Sequence, residues 1–145
     1  MPVTDDQVAA LRALLTDDMA RYKLLFNGLD RAAARKGYTA LVTAAFAEAV
    51  ERRFGQDRRQ GDIVEFIADV RARSDRLAEE LDPDISERVI HTALGEATAR
   101  DLSDSVVTGT QVVLLAGLIS DEQPDGDMLD AHLASARKLA DQLIR

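Results

Sequence analysis

Residues 106–119 read V-V-T-G-T-Q-V-V-L-L-A-G-L-I, with no charge, in a chain where 30% of residues are Asp, Glu, Lys or Arg. A run this apolar has to leave water on most of its sides, so other elements are expected to wrap around it. It spans fourteen residues, short of the ~20 needed to cross a bilayer. The reading is a buried helix near residues 104–120, capped by the polar L-S-D-S at 102–105. Its β-branched start, Val106, Val107 and Thr108, is the one place where a strand is conceivable, and no second strand candidate exists to pair with it.

The remainder of the chain is rich in alanine, leucine and charged residues, and the chain as a whole holds only 4% aromatics, a balance that favours helix over sheet. The 145 residues suit a single domain, 1–145, with a core of its own. The expected fold is all-α: a single-domain bundle of six to seven helices around the uncharged one.

Turn chemistry marks where those helices begin and end. Thr4-Asp-Asp-Gln7 is a capping box, and the two aspartates suit a helix N-terminus. Val8, Leu11, Leu15, Met19, Tyr22, Phe26 and Leu29 then recur at helical spacing, keeping phase across Thr16-Asp17-Asp18. That predicts one long helix, or two nearly collinear ones, stopping near Lys36-Gly37, because glycine commonly follows a last turn. Thr39 is the expected cap of the next helix, which closes at Gly55. Asp62 opens another whose stripe runs through Phe66, Ile67, Val70, Leu77 and Leu81 to Asp82-Pro83. Asp84 or Ser86 starts a further helix that fades near Arg100. The Q-P-D-G-D turn at 123–127 precedes a last amphipathic helix, capped by Asp127.

The bulk chemistry removes several function classes. The chain lacks cysteine, so disulfides, thiolate nucleophiles and cysteine-held metals are absent. A formal net charge of −8 argues against nucleic acid as a partner, since phosphate binding needs a basic face. Arginine outnumbers lysine fifteen to three, a usage common in bacteria with GC-rich genomes. No secretory leader is visible at the start, so cytoplasm is the expected compartment, and no membrane role is read. Nor is there a G-x-S-x-G elbow or a phosphate-cradling glycine loop. His91 and His132 stand on different helices outside any metal-binding spacing, and each is expected at the surface or half-buried.

Two constellations remain. Glu48-x-x-Glu51 is followed, after thirteen intervening residues, by Glu65-x-x-x-Asp69, and carboxylates at such spacings share a helix face. Two acidic faces on antiparallel helices could hold magnesium in an oxygen octahedron. The pattern resembles the signature of the all-α nucleoside triphosphate pyrophosphohydrolases, although Phe66 stands where the second motif of that family carries glutamate. The resemblance implies Mg as cofactor, with Glu48, Glu51 and Asp69 as ligands. The second constellation is Arg52, Arg53, Arg58 and Arg59 around Gly55, which could grip an anion or an acidic partner. Its plain alternative is charge balance against Glu48, Glu51, Asp57 and Asp62.

With no catalytic set standing out, the leading expectation is a non-enzymatic helical protein acting through protein–protein contact (a regulatory, adaptor or assembly module) and forming a homodimer. The alternative is the magnesium-dependent pyrophosphohydrolase. Gly109 and Gly117, eight apart on the uncharged segment, could admit a close helix neighbour within the fold or across a two-fold axis.

Overall fold

A computed structural model describes residues 2–28, 31–55, 60–96 and 101–144. Among them are eight helices and no strand: α1 (Asp5–Leu15), α2 (Met19–Asn27), α3 (Arg31–Phe54), α4 (Gln60–Arg71), α5 (Asp75–Glu80), α6 (Pro83–Ala93), α7 (Asp104–Glu122) and α8 (Gly126–Leu143). The all-α reading holds. None of these helices is long and apolar enough to cross a membrane.

The helix near residues 104–120 is α7, started by the Ser103 hydroxyl accepting from the Val106 amide. Its C-terminal half lies in the core through Leu114, Leu115, Leu118 and Ile119, whereas Val106 and Gly109 reach solvent. The most enclosed element is instead α3. Leu41, Val42, Ala44, Ala45 and Phe46 point in successive directions around it, and all are inaccessible. It packs mainly on α8 and α7, and also touches α1 and α6. Alanines on α3 thin the helix, so neighbours approach closely, while Phe46 and Phe54 supply bulk at about 1.5–3 kcal/mol for each fully buried large side chain.

Gly37 lies within α3, and Thr39 is interior to it; neither ends nor caps a helix. The glycine is needed for proximity. A Cβ there would sit 2.6 Å from Oε1 of Gln7, whose side chain also accepts from the Thr4 amide at 2.9 Å to complete the capping box of α1. The start of α1 is thus keyed into α3. The segment ahead of it is tied to α8: the Val3 amide donates to Asp141, and Arg137 donates to the Val3 carbonyl.

α1 and α2 are separate helices, and they are not collinear. The Asp18 amide donates to the Ala13 carbonyl at 2.9 Å and the Asp17 amide to Leu14 at 3.2 Å, with Asp17 at φ 60°. This is a Schellman turn. It folds α2 back onto α1. The stripe of apolar residues kept its phase through a point where the backbone reverses.

Other boundaries shift for similar local reasons. The helix expected from Asp62 to Leu81 breaks at residues 72–74, where the Ser74 hydroxyl accepts from the Leu77 amide and starts α5. Asp82 caps α6 with Pro83 in its first turn, taking the role expected of Asp84 or Ser86. That helix stops at Ala93, ahead of Arg100, in a second Schellman turn with Gly95 at φ 78°. Asp125, not Asp127, caps α8.

Candidate functional site

The acidic constellation is divided between two helices. Glu48 and Glu51 project from α3, and Glu65 and Asp69 from the exposed side of α4. Among the described residues, no group of three or more His, Asp or Glu side chains is placed to hold a metal ion. The four carboxylates therefore do not form one cradle for magnesium. Glu48 accepts a hydrogen bond from Ser135 of α8 at 2.8 Å through Oε2, while its buried Oε1 has no partner among the described residues.

The arginines of α3 turn toward the end of α7. Arg52 donates to Glu122 through Nε at 2.9 Å and Nη2 at 2.8 Å, a bidentate pair. Arg53 reaches Asp121 at 3.4 Å, and Arg73 reaches the other oxygen of Asp121 at 2.7 Å. The Arg53 guanidinium also lies over the Phe54 and Phe66 rings, 5.7 and 5.4 Å from their centroids. The hydrogen-bonded partners of Arg52 and Arg53 are thus distant in sequence, and the nearby charge of Glu48 adds to that of Glu122 in favouring the Arg52 cation. Two carboxylates at the C-terminus of α7 face the negative end of its dipole, and the arginines offset that repulsion. Arg58, Arg59 and Asp57 lie outside the described residues.

His132 of α8 sits inside this junction. It is 8% exposed, so it is buried, contrary to the expected half-buried or surface position. Arg52 Nη1 donates to Nδ1 at 2.7 Å, and Nε2 contacts the Ala45 carbonyl at 3.1 Å. Because an arginine can only donate, Nδ1 must carry a lone pair and Nε2 the proton. The ring is neutral. Burial, then the charge of Arg52, hold its pKa below the ordinary histidine value. The guanidinium in turn holds the Glu122 carboxyl below its usual range. His91 remains half-buried, 3.3 Å from Glu96.

A different kind of surface lies on α2. None of its nine residues is buried, and its principal neighbour is α1. Leu24 is 76% exposed, Met19 41% and Phe26 42%. Met19 and Phe26 were expected to face the core, and the turn at Asp17 carries them outward. Tyr22 stacks on Phe26 at 5.5 Å, and Phe26 meets the edge of Tyr38 on α3 at 5.6 Å. This aromatic ladder anchors the helix while its outer side stays bare. The Tyr38 hydroxyl is buried without a partner among the described residues, and burial, with Tyr22 beside it, pushes its pKa upward. The only sequence signal for this patch was Thr16-Asp17-Asp18, a cap pattern inside an otherwise unbroken stripe.

No family model, no curated protein and no solved structure matches the chain.

Proposed function

We propose that this chain is a non-enzymatic helical module that acts through protein–protein contact, with the outer side of α2 as its contact face and a second copy of the chain as its partner. One observation carries the reading: Met19, Leu24 and Phe26 stand open to solvent on a helix of nine residues of which Tyr22 and Leu25 alone pack against the core, each half-buried. Apolar side chains gathered on one element are a feature of interfaces more than of inert surface. The spacing is self-complementary. Met19 and Phe26 are seven apart on one flank of α2, with Leu24 about 140° round the helix from Met19 at the edge of the contact, so two such helices packed antiparallel about a two-fold axis put Met19 against the partner subunit's Phe26, twice. Thioether and aromatic ring are well matched in that contact.

Light scattering after size-exclusion chromatography tests the reading. A dimer is expected at tens of micromolar, and the double variant Met19→Asp/Leu24→Asp, which leaves the Tyr22–Phe26–Tyr38 ladder intact, should run as a folded monomer. A wild-type chain that remains monomeric at that concentration refutes the self-association, and a double variant that remains dimeric moves the interface off α2.

A further inference from the structure

A second feature, apart from α2, is a pocket of about 270 Å³ at the meeting of α3, α6, α7 and α8. Of its lining residues Ala44, Phe46 and Val89 are buried, Val107 and Leu139 are half-buried, and Leu143 is 54% exposed. No charged residue lines it. A dry apolar cavity of roughly 150 Å³ accepts benzene, so this one has space for a ring carrying a substituent, or for a medium-length chain.

One lining side chain gives the pocket polarity at a single point. Gln111 is 8% exposed, and its Oε1 accepts from the Thr43 hydroxyl at 3.1 Å. That bond engages one lone pair of the amide oxygen, and Nε2 has no partner among the described residues. The other lining hydroxyl, on Thr92, donates back to the Arg88 carbonyl at 2.7 Å. The pocket therefore offers one uncommitted strong donor in an apolar wall. An anion would find no cation there, in a protein whose net charge is already −8.

We infer that this pocket binds an uncharged molecule with an aryl or medium-chain body and one carbonyl oxygen, which accepts from Nε2 of Gln111. The apolar walls supply affinity and the amide supplies selectivity, because a ketone that enters without a donor loses its bonds to water and gains none.

Two isosteric probes separate these contributions: acetophenone, and 2-phenylpropene, in which a methylene replaces the oxygen. Each is titrated into the full chain while the methyl resonances of Val89, Val107 and Leu139 are followed. Both probes should shift these methyls saturably. Gln111→Met should weaken acetophenone by about five- to tenfold, the scale of one hydrogen bond, and change 2-phenylpropene by less than about twofold. Ala47→Leu, which fills the pocket from its lining, should abolish both titrations while preserving cooperative unfolding. Absence of saturable shifts in the wild-type chain overturns the inference. So does Gln111→Met weakening both probes alike, since the amide would then be shaping the pocket without reading the carbonyl.

Discussion

Arg52 holds His132 at 2.7 Å by a guanidinium-to-imidazole hydrogen bond, and this single contact decides the protonation state of a buried histidine between α3 and α8. Adding a proton to Nδ1 would set an imidazolium against an arginine, with the contact to the Ala45 carbonyl retained on the other side. Unfolded, His132 titrates near about 6.5; folded, it titrates lower, because of burial first and Arg52 second. Below the unfolded value the unfolded chain binds more protons than the native one. The contribution is thus complete above about pH 6.5 and is lost as pH falls toward the native value. Thermal midpoints measured from about pH 7.5 down to about pH 5 should decline through this window. His132→Gln, whose amide can still donate to Ala45 and accept from Arg52, should flatten that part of the profile. An unchanged profile would assign the decline to other groups.

Gly37 and Gln7 make a second prediction. Glycine inside a helix ordinarily costs about 0.5–1 kcal/mol relative to alanine, so Gly37→Ala would stabilise an isolated α3. In the fold the new methyl meets Gln7 at 2.6–2.7 Å, and displacing that side chain breaks the capping box. A lost cap costs about 1 kcal/mol, which offsets the propensity gain and leaves a net loss of up to about 0.5 kcal/mol. In a Gln7→Ala background the same substitution should become neutral or stabilising. Urea unfolding of the four proteins closes the cycle; additive changes would show that the two residues do not meet.

The Gly37 contact also shows where sequence reasoning works and where it stops. Cap chemistry is local, so the Thr4 box and the Ser103 start of α7 could be read from neighbouring residues. A glycine that ends a helix and a glycine that admits a side chain from elsewhere look alike without knowledge of Gln7. The break at residues 72–74 was hidden because Leu77 and Leu81 stayed in phase across it. Residues 106–119 showed that they would be helical, but the extent of their burial depends on where α3, α4 and α6 lie. The site was less legible than the fold for the same reason. Glu122, the partner of Arg52, is 70 residues away, and no local spacing points to it.

The proposed α2 contact carries a salt dependence of definite sign. Met19–Asn27 contains Arg21 and Lys23 and no acidic residue, so two α2 helices bring like charges together. Each chain also carries a net charge of −8, which adds a weaker mutual repulsion. Screening both should strengthen the dimer, and an apolar seam should not weaken with salt. Raising ionic strength from about 0.05 M to about 0.5 M, which shortens the Debye length severalfold, is expected to lower the dimer dissociation constant by severalfold in sedimentation equilibrium. Lys23→Gln should reduce that response. Dissociation on adding salt would indicate an interface held by ion pairs, and would remove α2 from consideration.

The two glycines of the uncharged helix should respond to alanine in opposite directions. At Gly109 an added Cβ meets nothing within 4 Å, and the residue is exposed, so only helix propensity acts. Gly109→Ala should gain about 0.5–1 kcal/mol. Gly117 is buried, and its Cβ would fall 2.9 Å from Cγ2 of Val70, with the Phe66 ring at 3.5 Å beside it. Here α7 and α4 approach across a position with no side chain, and both neighbours are themselves buried. The crowding is expected to outweigh propensity, giving a loss of about 1–3 kcal/mol for Gly117→Ala. Val70→Ala should recover part of that loss by vacating the contested volume, even though it is destabilising by itself. Equilibrium unfolding of the two single variants and the double variant distinguishes this from a general intolerance of α7. Equal losses at Gly109 and Gly117 would mean that both glycines serve the helix in some way other than helix-to-helix proximity.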